Sequence, residues 1–303
     1  FNIAIRAIGD HGDGVLINTP VYPPFLTAPK NQKHTLQPAQ QAYTLRDGHL
    51  HYEVDFDALE EAVDERTKLF LLCSPHNPTG RAYTRQELLD LAAFCAERDI
   101  MICSDEIHCD LLLDGNEHLS IAALDPAIEA RTITLIAPSK TYNIPDLGCS
   151  MAIIPNPELR AKFEAAMAGI VPHVTALGKH GALAAYTQGD EWLEQVLRYL
   201  TANRDFVVDY VDRRLPCVKT TVPEATYLAW LDCGDVGIEG NAHAFFLEQA
   251  GVVLNDGVLF GPGGEGFVRL NFGCPRATLE QALAQMRTAL EQPHLSQPAL
   301  ATP

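Results

Sequence analysis

The sequence predicts an α/β fold in which a mainly parallel sheet is flanked by helices, followed by a smaller α+β unit. Short apolar runs alternate with amphipathic helical segments, which is the pattern of a parallel sheet wrapped by helices. A helical pattern of unusual length starts at Trp192, and mixed strands and helices follow it. We therefore expect a large domain over residues 1–190 and a small domain over residues 191–303.

Strands are expected where a short apolar run is bounded by turn-forming residues. Continuous runs of Leu, Ile, Val and Phe predict strands that are buried on both faces, as in a parallel sheet. The expected strands cover residues 15–18, 69–74, 100–105, 132–137, 150–154, 227–231, 252–254 and 267–272. The last three belong to the expected small domain.

Capping residues mark the starts of helices in the large domain. Thr84 and Glu87 have the spacing of a capping box and predict a helix over residues 85–98. Apolar residues recur at helical spacing within it and predict one buried face. Asn156 followed by Pro157 predicts another helix start, because proline is harmless in the first turn.

The carboxyl-terminal third begins with the long helix from Trp192, whose length suits a connection between two domains. Thr278 and Gln281 have the spacing of a second capping box, which is expected to open the closing helix. Three prolines in the tail from Gln292 predict disorder there.

Composition excludes several classes of partner. The 303 residues carry a net charge of −17, which argues against nucleic acid and anionic membranes, since both require a basic face. No apolar run approaches the length of a membrane span. The eight cysteines form no C-x-x-C pair and lie mostly in apolar runs, which favours buried thiols in a reducing cytoplasm. Cys103, His108 and Cys109 match no zinc spacing, so no metal site is expected.

Three expected strands deliver polar side chains just beyond their carboxyl ends: Asn77, Asp105 and Lys140. Ligands of open α/β sheets bind at that edge. An amide, a carboxylate and a lysine amine are the groups that pyridoxal phosphate chemistry needs, and a lysine there can form a Schiff base. Taken singly, each has a simpler interpretation: an Asn-Pro turn, a helix N-cap and a solvated loop lysine.

Five motifs carry a resemblance to a known family. They lie in order at residues 19–25 (TPVYPPF), 74–80 (SPHNPTG), 104–108 (SDEIH), 137–143 (APSKTYN) and 267–276 (FVRLNFGCPR). Together they span nearly the whole chain. The chain resembles fold-type-I pyridoxal-phosphate enzymes of the class I/II aminotransferase superfamily, and within it the MalY/PatB-type cystathionine β-lyase branch.

The resemblance implies roles for the residues around the cofactor. Lys140 would be the Schiff-base lysine and would later remove the Cα proton as a base. Asp105 would pair with the pyridine nitrogen, and Asn77 would donate to the phenolic oxygen. Tyr22 would stack on the ring and belong to the catalytic set; its simpler interpretation is a loop tyrosine between prolines. His108 stands where typical aminotransferases have tyrosine, as in the β-lyase branch.

The phosphate and the substrate carboxylate need further residues. Many aminotransferases hold the phosphate with an arginine soon after the lysine, but residues 147–149 of this chain are Leu, Gly and Cys. Ser139 is therefore the candidate phosphate donor. Arg269 is the candidate anchor for the substrate α-carboxylate, because guanidinium matches carboxylate bidentately. A surface arginine on an edge strand is the alternative for Arg269, and Arg276 is expected to be structural.

The function that the resemblance implies is carbon–sulfur β-elimination. Cystathionine or a cysteine S-conjugate, a small sulfur-containing amino acid, would give pyruvate, ammonia and a thiol. An aminotransferase of class I/II is the alternative, and a non-catalytic regulatory protein on the same fold is a further one. The family also implies a homodimer. Its members carry a phosphate-cradling segment upstream of the position of Phe1, so we expect an N-terminally truncated large domain. The sequence does not identify the thiol that leaves in the elimination.

Overall fold

The structure is a computed structural model that describes residues 1–291. The expected disordered tail from Gln292 lies outside the described residues. The strands are β1 Gly14–Thr19, β2 Thr35–Gln40, β3 Ala42–Arg46, β4 His49–Glu53, β5 Thr67–Cys73, β6 Met101–Asp105, β7 Thr132–Ile136, β8 Met151–Ile153, β9 Lys219–Thr220, β10 Leu228–Asp232, β11 Asn255–Asp256 and β12 Phe267–Asn271.

Helices occupy most of the remaining chain. The α-helices are α1 Asn2–Ala7, α2 Pro23–Asn31, α3 Phe56–Ala62, α4 Arg85–Glu97, α5 Pro126–Glu129, α6 Pro138–Thr141, α7 Pro157–Met167, α8 Ala176–Gln188, α9 Asp190–Arg214, α10 Ala242–Phe245 and α11 Arg276–Leu290. A π-helical turn, Phe246–Ala250, continues α10. Short 3-10 turns lie at Ile121–Ala123, Pro145–Leu147, Gly234–Val236 and Gly257–Phe260.

A six-stranded sheet forms the centre of the large domain. Its strand order is β2-β1-β5-β6-β7-β8. Every neighbouring pair is parallel except β7 with β8, which is antiparallel. The predicted mainly parallel sheet is therefore confirmed.

The apolar runs of this sheet supply two cores, because side chains alternate between the faces of a strand. Val15 and Leu71 pack on one face with α1 and α2. Leu16 and Phe70 point to the other face, where Leu88 of α4 covers them. Phe70 is fully buried, and burial of such a side chain stabilises the fold by about 1.5–3 kcal/mol. The continuous apolar runs are thus explained by helices on both faces.

A four-stranded antiparallel sheet, in the order β11-β12-β10-β9, lies in the carboxyl-terminal part. The long helix α9 and the closing helix α11 cover it, with Val211, Leu231, Val268 and Leu283 in their shared core. β3 and β4 form a separate hairpin. The long helix was expected from Trp192 and begins at Asp190; the division into two domains at this point stays a prediction.

The strand expected at residues 252–254 is wrong. The chain there is irregular, and the short pairing strand is β11 at Asn255–Asp256. The π-helical turn ends at Gly251 with a left-handed φ of 63°, and Val252 donates its N–H group to the Phe246 carbonyl. The end of this helix therefore determines the conformation of residues 252–254, for which strand propensity alone predicts an extended strand.

The expected second capping box is also wrong. α11 begins at Arg276 with Pro275 at its N-cap, so Thr278 lies inside the first turn and makes no side-chain cap. The Arg276 N–H group instead donates to the hydroxyl of Tyr199 at 2.6 Å. A distant tyrosine from α9 thus replaces the local cap.

Both bonds of the first capping box are present in α4. The Thr84 hydroxyl accepts from the Glu87 N–H group, and the Glu87 carboxylate accepts from the Thr84 N–H group at 2.7 Å. Leu88, Leu91 and Cys95 form the buried face, as expected. Within residues 1–291, none of the helices combines the length and apolar character that a bilayer span requires.

The capping box predicts a measurable stability change. Replacing Thr84 with Ala is expected to lower the free energy of unfolding by about 1 kcal/mol, because the Glu87 N–H group loses its partner. Urea unfolding followed by circular dichroism measures the change. Thr288→Ala is the control, since that hydroxyl donates only to the Ala284 carbonyl within α11. Equal losses in the two variants would contradict a specific capping contribution.

Candidate active site

The three central strands of the parallel sheet end at the same level. The ladder places Cys73 of β5 opposite Asp105 of β6, and Asp105 opposite Leu135 of β7. Asn77 follows β5, Asp105 ends β6, and Lys140 lies on α6 directly after β7. The predicted convergence of these side chains follows from this register.

A cavity of about 1440 Å³ opens at this edge of the sheet. Its wall includes all seven residues singled out from the sequence: Tyr22, Asn77, Asp105, His108, Ser139, Lys140 and Arg269. The volume is sufficient for a drug-sized cofactor together with a small substrate.

Asp105 supplies a buried carboxyl group on the sheet side of the cavity. One of its oxygens accepts from the Ile107 N–H group at 3.2 Å. Burial raises the pKa of Asp105 to about 6, against the opposing effects of that hydrogen bond and of the Lys140 charge. A cationic nitrogen in contact with this carboxyl group would relieve the cost of keeping it ionised.

Asn77 and Arg269 connect the two sheets across the cavity. Arg269 Nη1 donates to Asn77 Oδ1 at 2.7 Å. Because that oxygen accepts from arginine, the orientation of the amide is fixed and its NH₂ group remains a donor. The Asn77 carbonyl in turn accepts from the Tyr22 N–H group at 3.0 Å, which holds the two loops together.

Arg269 lies on β12 and is half-buried rather than on the surface. Its Nε and Nη2 groups donate to Asn255 Oδ1 at 3.2 and 2.8 Å, and its guanidinium carbon lies 4.9 Å from the Phe260 ring centroid. Burial lowers the pKa of Arg269. No carboxylate within residues 1–291 pairs with this guanidinium, so the positive charge is available to an anion.

His108 is buried against the aromatic wall of the cavity. Its ring meets Tyr227 edge-on, with centroids 5.7 Å apart. Burial, together with the charges of Lys140 and Arg269, lowers the pKa of His108 to about 3. The imidazole is therefore neutral near pH 7, and its Nδ1 atom has no hydrogen-bond partner among the described residues.

Lys140 and Ser139 occupy the single turn of α6 and are both half-buried. In the described part of the chain, neither side chain forms a hydrogen bond or an ion pair. Their polar atoms are therefore available to a ligand in the cavity. The assignment of Ser139 to a phosphate group stays a prediction.

Tyr22 is the N-cap residue of α2, and its side chain is 36% exposed. The ring borders the cavity, as a stacking role requires, and that role also stays a prediction.

Tyr227 is a cavity residue that sequence reasoning missed. It was assigned only to the start of an expected strand, yet its ring contacts both the cavity and His108. The preceding residue, Thr226, is fully buried with a φ of 71°, which is rare for a β-branched residue. No motif signals Tyr227, because its contact with His108 joins distant parts of the chain.

No group of three or more His, Cys, Asp or Glu side chains within residues 1–291 is arranged to hold a metal ion. All eight cysteines are free.

Comparisons with known proteins identify the same family as the sequence motifs. Residues 2–286 match the family model Aminotransferase class I and II. The chain is 38% identical over 293 residues to cystathionine beta-lyase PatB of Bacillus subtilis (strain 168), a match covering 95% of this chain and 74% of PatB.

Two crystal structures are similar over almost the whole chain. OvoB has a TM-score of 0.90 and 41% identity, covering 96% of this chain and 75% of OvoB. Cystalysin of Treponema denticola, whose structure contains pyridoxal 5'-phosphate, has a TM-score of 0.89 and 34% identity, covering 95% of this chain and 73% of cystalysin. These similarities confirm the expected fold class.

The buried carboxyl group predicts a pH-dependent gain in stability on its removal. Without cofactor, Asp105→Asn is expected to stabilise the fold at pH 8 and to have little effect at pH 4. The folded state binds this proton more tightly than the unfolded chain, so the cost of ionising Asp105 grows as the pH rises from about 4 to about 6. It is fully present above that, at about 3 kcal/mol. Urea unfolding at the two pH values measures the difference.

A matched control has the opposite sign. A hydrogen bond from Arg204 lowers the pKa of Asp114, so that carboxylate stabilises the fold above its ordinary pKa and loses this effect as the pH falls. Asp114→Asn is therefore expected to destabilise at pH 8 and less so at pH 4. An Asp105→Asn variant that is less stable than the unchanged chain at pH 8 would contradict the buried-carboxyl interpretation.

Proposed function

Because the chain belongs to the aminotransferase class I and II family, we propose that it is a pyridoxal-phosphate-dependent carbon–sulfur β-lyase. The convergence of Asn77, Asp105 and Lys140 in one cavity is the observation that carries the proposal. The similarity to the B. subtilis cystathionine beta-lyase supports the reaction type. The substrate would be a small sulfur amino acid, such as cystathionine or a cysteine S-conjugate.

The residues present fit the cofactor. Pyridoxal phosphate supplies an aldehyde that condenses with amines and a pyridine ring that withdraws electrons from an attached Cα. The buried Asp105 carboxylate would hold the ring nitrogen in its protonated form. The free NH₂ group of Asn77 would donate to the phenolic oxygen, Tyr22 would cover one face of the ring, and Ser139 would donate to the phosphate.

Lys140 would provide both the covalent attachment and the base. Lys140 lines the cavity and its Nζ atom forms no ion pair among the described residues, so the amine is available to take the Cα proton of an amino acid bound there. Removal of that proton allows the bond from Cβ to sulfur to break and the thiol to leave. The three-carbon product then hydrolyses to pyruvate and ammonia.

Arg269 would bind the substrate α-carboxylate. Its charge is partly desolvated and unmatched by protein carboxylates, and it keeps N–H donors beyond those bonded to Asn255 and Asn77. Bidentate pairing would fix the substrate so that its Cα faces Lys140.

His108 favours elimination over transamination. The support is the residue type: the β-lyase branch that this chain resembles has histidine at this position, whereas typical aminotransferases have a tyrosine whose hydroxyl donates to the phenolic oxygen. The buried His108 imidazole is neutral near pH 7, because burial lowers its pKa. The aminotransferase reaction is the second candidate, since it needs the same three residues. The complete set of polar groups in one cavity argues against a non-catalytic role.

We further propose a cytoplasmic homodimer. The absence of disulfides among the eight cysteines supports a reducing compartment. The dimer rests on the family alone, and sedimentation equilibrium would test it.

Elimination is expected to run without a second substrate. Incubation with cystathionine and pyridoxal phosphate should release pyruvate over many turnovers, measured by a lactate dehydrogenase assay, because elimination regenerates the starting enzyme. Lys140→Ala is expected to abolish release, while Lys162→Ala, on α7, should retain it. A reaction that stops after one equivalent until a keto acid is added would identify an aminotransferase.

Arg269→Lys is expected to weaken substrate binding far more than cofactor binding. Lysine keeps the charge and one hydrogen bond to the carboxylate but loses the second of the parallel pair. That second bond is worth about 1.5–3 kcal/mol, so KM should rise about 10- to 150-fold. Arg276→Lys is the matched control, because Arg276 donates to Asn203 Oδ1 and the Ala202 carbonyl away from the cavity. An unchanged KM in the Arg269→Lys variant would show that another residue binds the substrate α-carboxylate.

A further inference from the structure

The segment that carries Lys140 is a single helical turn. α6 spans four residues, and Ala137 at its N-cap supplies no side-chain hydrogen bond. One turn of helix is unstable by itself, because its nucleation fixes several dihedral angles for one hydrogen bond. The position of the Lys140 backbone therefore depends on contacts with neighbouring elements.

Two sets of contacts hold this turn. The hydroxyl of Thr141, which is 1% exposed, donates to Asp110 Oδ2 at 3.1 Å. The ring of Tyr142 stacks on Trp192, with centroids 5.9 Å apart, and meets Tyr186 edge-on at 5.8 Å. Among residues 1–291, the bond to Asp110 is the one side-chain hydrogen bond that α6 makes.

Asp110 lies on the segment after β6 that also carries Ile107 and His108, both of which line the cavity. The bond from Thr141 therefore ties the lysine turn to the segment that holds two other cavity residues. Successive residues project about 100° apart around a helix axis, so fixing the direction of Thr141 also fixes that of Lys140. A hydrogen bond to a carboxylate is directional and stronger than one between neutral groups.

We propose that Asp110 is a positioning residue, which orients α6 through the Thr141 hydroxyl so that the Lys140 amine faces the cavity. Neither Asp110 nor Thr141 lines the cavity, so both act through Lys140. The inference rests on the proposed role of Lys140 as the residue that binds pyridoxal phosphate covalently.

The test is the rate at which Lys140 captures pyridoxal phosphate added to the cofactor-free chain. The amine and the aldehyde join with loss of one water, and borohydride reduces the new C=N bond to a stable C–N bond. Peptide mass spectrometry then measures the labelled fraction of Lys140 over time. This readout does not depend on turnover.

Thr141→Val and Asp110→Ala are each expected to slow capture about tenfold, the equivalent of one hydrogen bond to a charged group. The double variant should be no slower than either single variant, because both remove the same interaction. Thr141→Ser keeps the hydroxyl and should restore the original rate. Thr187→Val is the matched control, since its hydroxyl donates only to the Leu183 carbonyl of α8, and its rate should be unchanged.

Capture at the original rate by Thr141→Val, or additive slowing in the double variant, overturns the positioning role of Asp110. If Asp110→Ala does not fold, Thr141→Val and Thr141→Ser decide the question. Slow capture by the valine variant and the original rate in the serine variant support the positioning role, and equal rates in the two overturn it. Absence of label on Lys140 in the unchanged chain would instead overturn the proposed function. The two failures are therefore distinguishable.

Discussion

The parallel register of β5, β6 and β7 is the constraint on which the cavity depends. Because Cys73, Asp105 and Leu135 lie side by side in the ladder, the segments that leave these strands start at the same level. Helices cover both faces of the sheet, so most side chains within its strands pack into the apolar cores. Asn77, Asp105 and Lys140 lie at or just beyond the strand ends, where the sheet edge opens to the cavity.

A second constraint fixes the distance between the two sheets. The N–H groups of Glu224 and Ala225 donate to the Gly80 carbonyl, and that of Thr226 donates to the Leu111 carbonyl. The segment 224–226 is thus hydrogen-bonded to the loops after β5 and β6. It leads into β10, which pairs with β12. Gly80 is required there, because its φ is 74° and a Cβ atom would lie 2.7 Å from the ring of Pro223. This contact holds the loop that also carries Asn77, the residue to which Arg269 of β12 donates.

The features that could be predicted from the sequence are local. Apolar runs determine the central strands, and the Thr84 capping box needs only residues three positions apart. The features that could not be predicted join distant parts of the chain: Tyr199 caps α11 across 77 residues, and Arg269 reaches Asn77 across 192. The polar residues of the cavity could be named because each follows a strand within a recognisable motif, whereas Tyr227 follows none.

The treatment of charge distinguishes the cavity from the rest of the fold. Elsewhere, buried arginines are matched: Arg204 bonds Asp114, and Arg81 bonds Glu87 and Glu224. In the cavity, burial raises the pKa of Asp105 and lowers that of Arg269, and neither has an oppositely charged partner in direct contact among the described residues. Unpaired buried charges reduce stability. A ligand with a cationic ring nitrogen at one end and a carboxylate at the other would compensate both, so the arrangement that costs the fold stability is the one that selects this ligand.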